Sequence, residues 1–211
     1  MYVPDHFAEP RPEVLHDLIR ACPLGALVTC DSSGLDADHI PFYLDPSAGA
    51  HGSLLAHVAR ANPVWTIAKG GPSAMVIFQG PSSYVSPSWY PTKREDGKVV
   101  PTWNYVVVHA HGRLVAHDDP AWVREHLERL TARMEGHQAS PWTLSDAPAA
   151  YIDGLVKSVV GVELVIERLT GKWKASQNQS AQNRAGAAAG LEATGDPHAA
   201  AMAKVIRERS R

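Results

Sequence analysis

The sequence predicts a mainly β protein with peripheral helices, built on a small β-barrel. Three observations predict it. About six strand-like segments follow one another with short turns between them. The helical patterns decorate these strands and do not alternate with them as a parallel α/β sheet requires. No glycine-rich phosphate fingerprint follows any strand, which excludes the usual dinucleotide and P-loop folds.

Taken in order, residues 2–10 read as an extended arm, because Pro4, Pro10 and Pro12 disfavour helix around them. From Pro12 the apolar residues Val14, Leu15, Leu18, Ile19 and Cys22 recur at helical spacing, and Pro23 stops that helix. GALVTC (25–30) and DADHIPFYL (36–44) flank a Gly-containing turn and read as two strands. GSLLAHVA (52–59) is a strand running into a helical segment that Gly70 and Gly71 close. SAMVIFQG (73–80) is a continuous apolar run, the mark of a strand buried on both faces or closing a barrel. SPSWYPTKREDGK is a loop, since its prolines and Asp96-Gly97 forbid a long regular element.

The best strand is WNYVVVHAHGRLVAHD (103–118), with Val106, Val108 and Ala110 on one face and Tyr105, Val107, His109 and His111 on the other. A helix enters at Pro120 behind an aspartate cap, with Val123, Leu127, Leu130 and Met134 as its buried stripe. A second helix follows Asp146, and VELVIERL (162–169) is a further strand. The expected organisation is a domain over 1–178 and an Ala/Gly-rich tail over 179–211, partly helical or flexible, with a marginal helix at 199–209.

Composition narrows the function classes. A formal net charge of −2 and a pI near 6.6 give no global basic field, so DNA binding is not supported by charge. Cys22 and Cys30 form no metal-ligand spacing and read as reduced thiols of a cytoplasmic protein. No run approaches the roughly 20 apolar residues of a membrane span.

The stretch from Tyr84 to Leu114 concentrates aromatic residues and prolines, a combination that suits a flat ligand with a polar edge. Trp89 and Trp103 offer stacking surfaces, and Thr102, Asn104, Ser86 and Ser88 offer polar partners; the plainer reading is an aromatic core cluster. In HVARANP (57–63), a strand end with free amides and the Arg60 guanidinium suits a phosphate. Lys93, Lys98, Lys172 and Lys174 can complete an anion site, although surface lysines are usually only solvated. His109 and His111 share a strand face, but two imidazoles do not make a metal site, and no metal is expected. No nucleophile–base pair is recognisable.

MYVPDHF, HVARANP, FQGPSSYVSPSWYPTK, VPTWNY, VHAHGRL and KWKASQN, in this order, resemble the PaiB family of FMN-binding negative transcriptional regulators. The likeness covers residues 1–178. It implies an FMN-binding split β-barrel, related to pyridoxamine-phosphate oxidases, that forms a homodimer with FMN at the subunit interface. Carried onto this chain, the resemblance implies that Arg60, His57, Val58, Ala59 and Asn62 hold the phosphate through side chains and amides. Asp38, His39 and Ile40 would line the ring, Trp89, Lys93, Thr102, Trp103 and Asn104 would meet its face and edge, and Lys174, Gln177 and Asn178 would close the site. It implies a transcriptional regulator sensing redox or metabolic state. The alternatives are an oxidoreductase using NAD(P)H, and a heme-binding or heme-degrading split barrel using His39, His57, His109 or His111. No helix-turn-helix is recognisable, and catalytic residues are not identified.

Overall fold

The structure is a computed structural model and describes residues 1–210. Eight strands and six α-helices occur among the described residues: β1 (Ala8–Glu9), α1 (Pro12–Ala21), β2 (Leu24–Asp31), β3 (Gly34–Pro41), β4 (Tyr43–Asp45), β5 (Ser53–Ala59), α2 (Val64–Ala68), β6 (Ser73–Val85), β7 (Thr102–His117), α3 (Pro120–Glu135), α4 (Ala149–Ser158), β8 (Val159–Lys174), α5 (Ala181–Glu192) and α6 (Pro197–Glu208). Their sheet order is β3-β2-β6-β7-β8-β5-β4, with β1 pairing separately with β8. The order has two ends, β3 and β4, so the sheet is not closed.

The chain forms two compact units. Unit 1 comprises Met1–Leu15, Gln79–Val108 and the residues from Thr170 onward; unit 2 comprises His16–Phe78 and His109–Leu169.

In unit 2, β2 and β3 make a hairpin with Asp31 opposite Gly34. The Asp31 carboxylate accepts from the Ser33 amide at 2.7 Å and the Ser33 hydroxyl at 2.6 Å, and Gly34 supplies the φ of +118° that ends the turn. β5 pairs with β4 and with β8, and its Leu54, Ala56 and Val58 enter a core with Val160, Val162 and Leu164 of β8. α3 begins where Asp119 accepts from the Ala121 amide at 3.0 Å. Val123 of α3 packs with Ile152 and Val156 of α4.

For the run SAMVIFQG the first of the two expected alternatives, burial on both faces, does not hold. Ala74, Val76 and Phe78 are buried, but Met75 and Ile77 are only half-buried, so β6 has one core face rather than two. The continuous run concealed the alternation because its second face is also apolar. β8 is likewise longer than its apolar alternation suggested, and it carries KWK as its last turn of strand.

In unit 1, the N-terminal arm is not simply extended: a short 3-10 turn at Asp5–Phe7 precedes β1, which pairs Ala8 with Lys172 and Glu9 with Gly171. Glu9 is 2% exposed. Burial opposes its charge, yet hydrogen bonds from Arg11 and Arg209 pull its carboxyl to about 2. The C-terminal segment is also more ordered than expected. α5 and α6 bury Ala187, Ala188, Leu191, Ala199, Met202, Ala203 and Ile206. Ser180 accepts from the Asn183 amide and Asp196 from the His198 amide, so both helices are capped. The scarcity of large apolar residues there reflects close packing on alanine, not a lack of core. Arg211 lies outside the described residues.

Candidate functional site

The candidate residues fall into two groups, one in each unit. In unit 2 the chain leaves β5 at Ala59, and the Arg60 amide donates to the Ser158 carbonyl at 2.9 Å. The Arg60 guanidinium is held on three sides. Nε donates to the Lys157 carbonyl at 2.9 Å, and Nη2 donates to Asp118 at 2.8 Å and to the Val159 carbonyl at 3.2 Å. The hydrogen bond from Arg60 lowers the Asp118 carboxyl below its usual range. Nη1 takes part in none of these bonds, so two donors of a fixed fork are left over.

Asn62 ties β3 to this turn: its Nδ2 donates to Asp38 at 2.7 Å, and its Oδ1 accepts from the Val64 amide at 2.8 Å at the start of α2. The Trp65 indole donates to the Arg60 carbonyl at 2.9 Å and lies beneath the Lys69 ammonium. His39 is exposed on β3, while the Ile40 and Val58 side chains are core and leave only backbone for a ligand. His57 points elsewhere. Its Nδ1 shares a 3.1 Å hydrogen bond with Nε2 of His126, a residue the sequence reading did not single out. Beyond this pair Trp122 stacks on His126, and His117 stacks on Trp122 with ring centroids 4.1 Å apart. His117 in turn bonds Glu163 at 2.7 Å, and that bond lowers the Glu163 carboxyl.

In unit 1, β7 brings Thr102, Trp103 and Asn104 together with the end of β8. The Lys174 ammonium donates to the Thr102 hydroxyl at 2.6 Å and to the Trp103 carbonyl at 2.9 Å. Trp103 is 54% exposed, a large exposure for an indole, and its ring stands tilted against that of Tyr84. Asn104 is 1% exposed; its Nδ2 donates to Ser176 Oγ at 2.8 Å, and its Oδ1 is buried with no donor among the described residues. Ser176 holds a φ of +62°, the one non-glycine residue in the left-handed region among those described. The sequence signal for Ser176 was its place inside KWKASQN.

The other unit 1 residues have structural occupations. The Gln177 side chain closes its own turn, donating to the Trp173 carbonyl and accepting from the Ala175 amide. Asn178 is exposed. Lys93 is exposed and donates to Ser88 Oγ at 3.2 Å. Trp89 lies against α5, where Gly186 and Gly190 leave room for it. Thr92, three residues on, shares three hydrogen bonds with the buried Asn183 of α5, at 3.4, 3.1 and 2.9 Å. No group of three metal-ligating side chains occurs among the described residues.

Solved structures with the same fold place the chain in a class. It matches the flavocytochrome Anf3 from Azotobacter vinelandii with a TM-score of 0.58 at 12% identity, covering 82% of this chain and 72% of that one. It matches an FAD- and heme-binding protein from Mycobacterium smegmatis with a TM-score of 0.55 at 16% identity, covering 79% and 73%. The fold is that of an FMN-binding split β-barrel. Residues 1–168 match the family described as "Putative FMN-binding domain", and the chain belongs to that family, of which the PaiB proteins are the kin recognised in its motifs. The Bacillus subtilis protein named protease synthase and sporulation protein PAI 2 is 28% identical over 99% of this chain and 98% of its own length. An uncharacterized protein from Emericella nidulans is 34% identical over 99% of this chain and 97% of its own. FMN is the cofactor that this family assigns.

The residues present fit such a cofactor. FMN needs a partner for a phosphate dianion, a face for a flat ring and polar groups for its edge. Arg60 of unit 2 has unused donors, and in unit 1 Trp103 presents an uncovered ring and Lys174 an ammonium at the same end of β7. Among the described residues no helix is long and apolar enough to cross a membrane.

Proposed function

We propose that the protein binds FMN as a homodimer, at the interface between two copies, and uses it to sense redox or metabolic state in gene regulation. The observation that carries the cofactor part is the exposed Trp103 indole, beside which the Lys174 ammonium is fixed on the Thr102 hydroxyl and the Trp103 carbonyl. The flavin ring presents a flat face and a carbonyl edge, which suit a stacking surface beside a fixed cation. In unit 1, Trp103, Thr102 and Lys174 meet the ring and its edge, and Asn104, bonded to Ser176, supports them from the buried face of β7. Trp89, Lys93, Gln177 and Asn178 shape the loops beside these residues in unit 1; in unit 2, Asp38, His39 and Ile40 of β3 are the flavin contacts expected from the motifs. The turn from His57 to Asn62 takes the phosphate through Arg60 and the amides of Val58 and Ala59. FMN, when bound, supplies reversible electron transfer; the protein binds it, orients it and limits its exposure to water.

Replacing Arg60 by alanine is expected to weaken FMN binding by about 1.5–3 kcal/mol, the worth of a charge-assisted bond to phosphate. Titration of FMN into the variant measures this. Unchanged affinity would leave Arg60 only its bonds to Asp118 and to the Lys157 and Val159 carbonyls. Regulation is tested by a gel shift on the promoter region of the protein's own gene at stated salt, because the net charge of −2 offers DNA no field.

A second reading, a flavin-dependent oxidoreductase, keeps the same site. Anaerobic bleaching of bound flavin by NAD(P)H at a useful rate supports it, and its absence favours the sensor. A third reading rests on the imidazole nitrogens His109 Nδ1 and His111 Nε2, which are buried without partners. Burial above all lowers the His109 imidazole to about 4, so it stays neutral and ligand-competent. A Soret band on adding heme supports that reading.

A further inference from the structure

A cavity of about 220 Å³ in unit 2 has a basic rim and no acidic residue in its lining. It lies among the last turns of α1 and α3 and strand β4. Buried Phe42 and Leu44 form its floor with Met134, and Phe42 packs edge-to-face on Phe78 with ring centroids 5.8 Å apart. The rim is polar: Arg20 comes from α1, Arg133 from α3 and Tyr43 from β4. From there the space continues outward as a groove that Arg20, Arg133 and His137 also line, again with no acid.

The polar groups left over in this cavity are donors. Arg20 spends Nη1 on Asp17 at 3.0 Å, its one ion pair among the described residues, and keeps Nε and Nη2 free of side-chain partners. Arg133 has no ion pair among the described residues. Arg129, one turn before it, already takes the acids Glu125 and Asp45, the latter at 3.4 Å. Arg129 and Arg133 are like charges at i, i+4, and only the first is neutralised. The nearby carbonyls are occupied as well. That of Pro23 accepts from the Phe42 amide at 2.8 Å, and that of Ala132 from the Gly136 amide at 3.0 Å. Two guanidinium forks and a phenol hydroxyl therefore face a cavity with an apolar floor, which suits an anion with an apolar body. The last turn of a helix favours a cation through its dipole, which accounts for an arginine on each helix. It does not account for their convergence on one cavity.

We propose that this cavity binds a small organic carboxylate, with the carboxylate between Arg20 and Arg133 and the apolar body over Phe42, Leu44 and Met134. The volume sets the size. It falls below the roughly 300–1,000 Å³ of sites that enclose drug-sized ligands, so the body is one ring or one branched chain. The site is separate from the Arg60 turn. β5 begins at Ser53, paired with Asp45 beside the lining residues Leu44 and Pro46, and ends at Ala59, next to Arg60. A strand of 7 residues puts about 20 Å between its two ends. The proposal therefore does not rest on FMN binding.

The test uses the full chain and calorimetric titration with phenylacetate, isovalerate, phenylacetamide and acetate. Phenylacetate or isovalerate is expected to bind saturably. It binds at least about tenfold tighter than acetate, which lacks the body, and than phenylacetamide, which lacks the charge. Arg133→Met, at an exposed position, weakens the bound carboxylate at least about tenfold, and Arg20→Met does the same. Arg133→Lys keeps part of the affinity, because the charge remains without the fork. Saturating FMN and the Arg60→Ala variant leave carboxylate binding unchanged, whether or not FMN itself binds. The proposal is overturned if neither carboxylate binds, or if both arginine-to-methionine variants bind as the parent does. It is also overturned if phenylacetamide binds as well as phenylacetate, or if FMN displaces the carboxylate, which would assign it to the flavin site.

Discussion

Replacing Gly190 by leucine is expected to destabilise the protein by about 3 kcal/mol or more. A Cβ at this position meets Cγ, Cδ1 and Cδ2 of Trp89 inside contact distance, so the indole must leave its place on α5. It has little freedom to do so. One turn earlier, Gly186 faces the Trp89 carbonyl and the Pro91 ring, and the next residues are tied down by Thr92 and Asn183. The loop from Ser86 to Lys98 is therefore fixed by the C-terminal helices, and a larger side chain at Gly190 forces either loop or helix away. Urea unfolding followed by tryptophan fluorescence measures the loss. A stability within about 0.5 kcal/mol of the parent, the range of an ordinary surface change, would show that Trp89 is not clasped in this way.

The second large effect is acid sensitivity. His126 is 1% exposed and shares its Nε2 with His57, so one nitrogen of that pair must be unprotonated. Burial first, then His57 and Arg129, push the His126 imidazole from 6.5 down to about 3, and burial also lowers His57. The sign follows from proton binding. Above about pH 6.5 neither the folded nor the unfolded chain protonates these rings, and stability is full. As pH falls below 6.5 the unfolded chain binds protons that the folded chain refuses, so stability declines until the folded value near 3 is reached. The total for His126 is several kcal/mol. The Glu9 carboxyl, lowered from 4.5 to about 2, adds its own loss only below about pH 4.5. Between pH 6.5 and 4.5 the histidines therefore act without it. His126→Phe is expected to flatten the pH dependence of stability in that window, measured by urea unfolding at several pH values. An unchanged slope would remove His126 as its source.

The parts of this fold that were legible in the sequence are those where one residue type does one job. Pro12 and Pro23 bracket α1, the Asp31–Gly34 turn joins β2 to β3, and the alternation in 103–118 becomes β7. The C-terminal helices were underread because alanine and glycine packing leaves no large apolar stripe to count. Their core is made of Ala187, Ala188 and Ala203 around Leu191, Met202 and Ile206. Within the site, motif order drew attention to Trp103, Asn104 and Lys174, which do meet locally. Side-chain partners could not be read that way. Asp118, which holds Arg60, and His126, which holds His57, lie 58 and 69 residues from them in sequence. Asn183, which anchors the aromatic loop, lies 91 residues from Thr92. Long-range pairing of this kind has no local pattern.

The central claim is that the chain binds FMN, and one titration tests it most directly. Protein freed of any bound flavin is added to FMN at fixed concentration while flavin fluorescence and the visible spectrum are recorded. The account predicts saturable binding that approaches one FMN per chain, with the flavin bands perturbed by Trp103 and its neighbours. No saturation and an unperturbed spectrum with folded protein would contradict it.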